Sequence, residues 1–179
     1  MSYLEHHGIK GQKWGIRRFQ NKDGTLTEAG KLRAYKQANA IYSTLNADQK
    51  RHASYTDDPK VFMNKNDYLS ETEKVFVKKN KGKASSILNI TDGGSDEVEF
   101  QVMTRSNEQG KGYASQLVDK GIEWARSTQR KKIIWQVSVN NDASIKLAEK
   151  KGFEFTQHLM YDWDGTHFVP STSIYTKYL

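Results

Sequence analysis

Gly110 and Gly112 flank a lysine in the run Gln109-Gly110-Lys111-Gly112-Tyr113-Ala114, between an apolar stretch and an amphipathic one. That spacing suits a bound phosphate. Backbone N–H groups at the start of a helix have no partner within it, and the helix dipole adds partial positive charge there. Glycine permits positive φ and a close backbone approach without a clashing Cβ. Ala114 keeps the first turn slim. Lys111 offers either a phosphate contact or an ordinary solvated cation. Downstream, Val139-Asn140-Asn141-Asp142-Ala143-Ser144 opens a second polar helix start, and Lys150, Gly152 and Phe153 close it. Glycine at 152 is where a left-handed helix stop is expected.

Other groups carry chemistry less plainly. Glu99 precedes the glycine run on an expected strand, alternating with Val98 and Phe100. It reads as a candidate general base or as a solvent-facing strand residue. His158 and Tyr161 read as sheet surface or as groups facing an acceptor cleft, and Tyr175 as core. The pair His6-His7 lacks a third ligand, so no metal site is expected. The chain contains no cysteine, which removes disulfides, thiolate metal sites and a cysteine acyl carrier.

The elements that must position these groups follow from periodicity. Alternation and turn residues predict strands over 74–78, 84–90, 97–103 and 132–139, and over 153–161 and 173–178. Helices are expected over 111–128 and 142–151, and a mixed, largely helical region over 41–67. Thr27 is an expected N-cap for an earlier helix running toward Ala38.

These motifs carry a resemblance. Gln109-Gly110-Lys111-Gly112-Tyr113-Ala114 resembles the Gln/Arg-x-x-Gly-x-Gly/Ala diphosphate loop of GNAT N-acetyltransferases. Asn141, Ser144, Lys150, Gly152 and Phe153 match that family's second signature, in the same order along the chain. The pair is most similar to the branch of ribosomal-protein alanine acetyltransferases and covers roughly residues 60–179. The resemblance implies an α/β GNAT fold, with a mixed, mostly antiparallel central sheet flanked by helices and preceded by a basic N-terminal extension. It implies acetyl-CoA as cosubstrate, bound by Gln109 to Ala114, Asn141 and Ser144, with a backbone N–H of Met103 or Thr104 holding the thioester carbonyl. Glu99 and Ser144 are the implied catalytic candidates, as base and acid. The family's frequent acid, a tyrosine four residues before the Gly of Gly-Phe, is Ala148 here. The acceptor would be a primary amine on a protein N-terminus, a lysine or a small molecule, attacked directly in a ternary complex. The rival reading is a binding protein that uses the same fold without turnover.

The chain has 179 residues, 36% hydrophobic, with a net charge of +7. Residues 1–36 hold eight Lys and Arg against Glu5, Asp23 and Glu28, while the remainder holds twenty against eighteen. The basic surplus therefore sits mainly in the leader. No apolar run approaches the roughly 20 residues of a membrane span, and a cytoplasmic setting is expected. The division expected is a leader over 1–40 and a transferase domain over 41–179. The leader, with Trp14, Ile16 and Phe19 among its basic residues, resembles segments at the start of tailed-phage and prophage proteins, often virion-associated ones. That resemblance implies docking to a phage structural protein, a host protein or nucleic acid, and possible packaging in a virion.

Overall fold

The computed structural model of the chain describes residues 18–179 apart from Asp23, Asp57 and Ser95. The expected leader residues Trp14 and Ile16, and the pair His6-His7, lie outside the described residues. Three helices come first: α1 (Glu28–Tyr42), α2 (Ala47–Ala53) and α3 (Lys65–Glu71). Thr27 caps α1, its Oγ1 accepting from the Gly30 N–H at 3.1 Å. Asn46 and Gln49 cap α2 reciprocally, each side chain accepting from the other's backbone N–H. Both caps satisfy amides that the first helical turn leaves unpaired. α1 crosses residue 40 without a break, and its residues Ala34, Ala38, Ile41 and Tyr42 are buried.

Six strands follow in one mixed sheet, ordered β1-β2-β3-β4-β6-β5. They are β1 (Thr72–Asn80), β2 (Lys83–Asp92), β3 (Glu97–Thr104), β4 (Lys132–Ser138), β5 (Glu154–Trp163) and β6 (Phe168–Tyr178). α4 (Tyr113–Ser127) crosses from β3 to β4, and α5 (Asp142–Lys150) follows β4. β3 and β4 run parallel, as a helical crossover requires, and the other neighbours run antiparallel.

Alternation along the strands sends side chains to two cores. On one face Leu88, Ile90, Val98 and Phe100 meet Leu117, Val118 and Ile122 of α4, with Trp135 and Phe153 nearby. On the other, Ile87 and Met103 meet Ile41 and Tyr42 of α1, Tyr68 of α3, and Phe62 from the loop before α3. Helices on both faces are thus what the two apolar stripes of the sheet require. The last hairpin is longer than its sequence predicts. Pro170 lies within β6 because pairing to β4 ends at Ser138 and Thr172, so its missing N–H breaks no inner ladder bond.

One irregularity matters for function. β3 and β4 pair only from Glu97 with Lys132 to Phe100 with Trp135. Beyond that point β3 stays with β2 as far as Thr104, and β4 stays with β6 as far as Ser138. The two strands part, and a crevice opens in the middle of the sheet.

Candidate active site

The crevice widens into a cleft of about 760 Å³, within the range of small-molecule sites. Its floor is the parting of β3 and β4, one wall is the start of α4, the other the start of α5, and α2 overhangs it. Each wall has its own chemistry.

At the α4 wall, Gly112 is the N-cap with φ 74° and ψ 8°, and it offers no side-chain cap. The first amide that finds a helical partner there is Gln116, bonded to Gly112 O at 3.1 Å. The amides of Tyr113, Ala114 and Ser115 precede it and line the cleft with their residues. Gly110 also has positive φ, 76°. A Cβ built at either glycine meets no heavy atom within 4 Å. Glycine is required here for backbone angle, and the space beside it is left open toward a ligand. Lys111 also lines the cleft, and its Nζ pairs with Glu108 at 2.8 Å. That ion pair holds the loop, and the phosphate contact weighed for Lys111 from sequence stands as a proposal. Asn80 donates to the same carboxylate at 3.1 Å, and both interactions hold Glu108 below the usual carboxylate range, the Lys111 hydrogen bond most strongly. Gln109 Nε2 donates to Thr104 O at 3.4 Å, tying the loop to the end of β3.

At the floor, strand alternation decides which amides are available. Arg105 N–H donates to Ser85 O, and β3 continues in register with β2, Met103 opposite Ile87 and Gln101 opposite Asn89. In an antiparallel ladder alternate residues bond the same neighbour. The amides of Gln101 and Met103 therefore point to β2, whereas those of Val102 and Thr104 point to the side that β4 has left. Met103, expected from sequence as a carbonyl holder, is corrected on this ground: its N–H belongs to the ladder, and its side chain is core, 6% exposed. Thr104 remains, and Val102, which no sequence motif singles out, joins it.

At the α5 wall, Asn141 caps the helix, its Oδ1 accepting from Ser144 N–H at 3.1 Å. Asn141 and Ser144 both line the cleft. Ala148, one turn on, is fully buried in the core, so no acid stands at that position.

The carboxylate Glu99 is half-buried rather than solvent-facing. Tyr55, in the loop after α2, donates its hydroxyl to Glu99 Oε1 at 3.1 Å. Tyr55 is placed by its own N–H, which donates to Phe62 O at 2.8 Å, and by an edge-on contact of the two rings at 5.8 Å. Burial raises the Glu99 carboxyl above its ordinary value, with Glu71 of α3 adding to the rise and the Tyr55 hydrogen bond opposing it. Desolvation of the hydroxyl, then the Glu99 carboxylate, push the Tyr55 phenol well above its usual range, with a Gln101 hydrogen bond opposing, although the residue as a whole is 41% exposed. Gln101 lies beside this pair, held by Asn89 Nδ2 at 3.3 Å, and Asn89 in turn accepts from Thr72 at 3.1 Å. Tyr55 is the residue that sequence reasoning missed. A single tyrosine between Ser54 and Thr56 has no period, motif or charged neighbour to mark it.

His158 and Tyr161 lie on β5 and are exposed, His158 Nδ1 at 3.0 Å from Ser173 Oγ. They stand apart from the residues lining the cleft. Tyr175 is core, 7% exposed. Among the described residues no group of three or more metal-ligating side chains occurs, and no helix is long and apolar enough to cross a membrane.

Solved structures with the same fold are numerous. A putative acetyltransferase of Salmonella typhimurium, solved with its cofactor acetyl-CoA, superposes with a TM-score of 0.62 at 18% identity, over 86% of this chain and 91% of that one. A ribosomal-protein-alanine N-acetyltransferase of Brucella melitensis gives 0.60 at 19% identity, over 87% and 98%. A Bacillus subtilis acetyltransferase in complex with CoA gives 0.53 at 17%, over 64% and 81%. No curated protein is similar enough in sequence to match the chain. The family model described as acetyltransferase (GNAT) family matches residues 38–153, which span the parted strands, the glycine loop and the helix capped by Asn141. The chain belongs to the acetyltransferase (GNAT) family.

Proposed function

We propose that the protein is an acetyl-CoA-dependent N-acetyltransferase that moves an acetyl group to a primary amine in a ternary complex. One observation carries this reading: an uncapped helix start with open space beside Gly110 and Gly112, facing a crevice where β3 and β4 part. The residues fit the cosubstrate. The amides of Tyr113, Ala114 and Ser115 suit a diphosphate, and Asn141 and Ser144 suit the thiol-bearing arm across the cleft. The Val102 and Thr104 amides suit the thioester carbonyl, whose oxygen gains charge as the tetrahedral intermediate forms.

The chemistry then needs a neutral amine, since an ordinary lysine amine has a pKa of about 10.4. Glu99, raised by burial, is the base that removes the proton. The amine nitrogen bonds to the acetyl carbon, and the carbon–sulfur bond breaks with its electron pair leaving on sulfur. Ser144, one turn before Ala148 on α5, is the cleft hydroxyl that supplies the proton that restores the thiol, with water as the ultimate source. Ala148 favours a second reading, in which the fold holds CoA without turnover, because it places no tyrosine acid near the sulfur. Acceptor recognition belongs to α2 and the loop after it, which overhang the cleft. The leader's docking to a phage or host partner rests on its sequence alone.

The test is turnover. Incubation with radiolabelled acetyl-CoA and a panel of amines is expected to yield labelled amide and free CoA. Binding of acetyl-CoA without label transfer across protein N-termini, lysines and small amines would support the second reading instead.

A further inference from the structure

The cleft and its carboxylate are separated by a tyrosine. Tyr55 lines the cleft, as does Gln101, but Glu99 is not among the lining residues. An amine seated at the parting of the strands therefore meets the Tyr55 hydroxyl before it meets the carboxylate behind it. The hydroxyl is already committed as a donor to Glu99 Oε1 at 3.1 Å, so its oxygen meets the cleft as an acceptor, which an incoming amine shares with the Gln101 side chain that also hydrogen-bonds to it.

We propose that Tyr55 is a catalytic residue that takes the acceptor amine's proton while passing its own proton to Glu99. The step balances. One N–H bond and the phenol O–H bond break, a new phenol O–H and a carboxyl O–H form, and the net result is a neutral amine and a neutral Glu99. No free phenolate arises, which suits a phenol held against the Glu99 carboxylate, whose charge opposes its ionisation. The backbone and ring contacts to Phe62 hold the tyrosine in place, and Asn89 fixes Gln101 beside it. Besides Tyr55, the charged group bearing on Glu99 is Glu71 of α3, whose charge keeps the carboxylate eager for the proton. The inference rests on the acetyltransferase reading and on Glu99 as the final acceptor.

The test compares single-turnover kinetics of the wild type, Tyr55→Phe, Glu99→Gln and the double variant, with acetyl-CoA binding measured separately. Tyr55→Phe keeps the ring against Phe62, so its melting temperature and its affinity for acetyl-CoA are expected to stay near wild type. Its transfer rate is expected to fall about 10²-fold or more. The residual activity should show its acidic limb at higher pH, because the hydrogen bond that lowers the Glu99 carboxyl is gone. The double variant should be no slower than the slower single, as for groups acting as one unit. Independently of any variant, a relay moves two protons together, so the wild-type rate in mixed light and heavy water should curve downward. Wild-type transfer that is linear in heavy-water fraction overturns the inference, as does Tyr55→Phe at the wild-type rate and pH profile. A wild type that transfers no acetyl group to any amine removes the acetyltransferase reading, and the relay with it.

Discussion

A carboxylate half-buried behind a tyrosine lowers stability whenever it is charged. The Glu99 carboxyl is raised in the fold, so over the pH window between its unfolded and folded values the native state holds more protons. Stability therefore falls as pH rises through that window and stays lower above it. Glu99→Gln removes this slope. The variant is expected to melt at or above the wild-type temperature at pH 8, while its transfer rate drops by about 10²–10⁴-fold. Thermal scans across pH and an acetyl-transfer assay check both halves. At the diphosphate loop, a side chain at residue 112 enters the space beside the uncapped amides and must adopt positive φ. Gly112→Trp should weaken acetyl-CoA binding at least tenfold by calorimetry, with a left-handed backbone cost of about 1–2 kcal/mol in stability. The glycine loop was readable because its chemistry is written in residue types. Glu99 was readable only as a choice, since a strand carboxylate looks alike whether water or a tyrosine covers it. Tyr55 was unreadable, because its role arises from a contact made across 44 positions in sequence.

The elements themselves were read well where periodicity was strong, as at α4 and β4, and less well where turn residues run on into strand, as in β6. The parting of β3 and β4 was implied by the family resemblance and not by strand periodicity, because each strand keeps its partner on the far side. Whether Met103 or its neighbours face the crevice likewise depends on ladder parity, and sequence does not fix parity. The parity has a consequence for substitutions. Proline at Val102 or Thr104 removes an N–H that β2 does not use, so both variants should keep the fold. At least one should lose about 10²–10³-fold in transfer rate, as for other oxyanion donors. Met103→Pro should instead destabilise by removing a ladder bond. Packing adds another prediction. A Cβ at Gly121 of α4 would lie 2.6 Å from Leu88 Cδ2 and 2.7 Å from Phe100 Cζ. Gly121→Ala is therefore expected to cost about 1–3 kcal/mol in denaturant unfolding. Its sequence gave no warning, since a helical glycine reads as a weak helix former.

Across the whole molecule, the two cores lie on opposite faces of one sheet and hold the cleft from both sides. The α1 and α3 face holds Tyr55 through Phe62, and Tyr55 in turn bonds Glu99, while the α4 face carries the glycine loop. Removing residues 1–17 should leave acetyl-CoA affinity unchanged within about twofold, since every described residue that lines the cleft lies at position 45 or beyond. Calorimetry on the shortened chain checks this. The basic surplus of residues 1–36 was visible in the charge count, whereas a partner for it is not encoded in any residue pattern. The most direct measurement is an amide-resolved nuclear magnetic resonance titration of the full chain with acetyl-CoA. The largest shifts are expected at Gly110 to Ser115 and at Val102 and Thr104, with Met103 moving less than its neighbours. Saturating acetyl-CoA that leaves those amides unmoved, or that shifts a different surface, would contradict a diphosphate held at the start of α4.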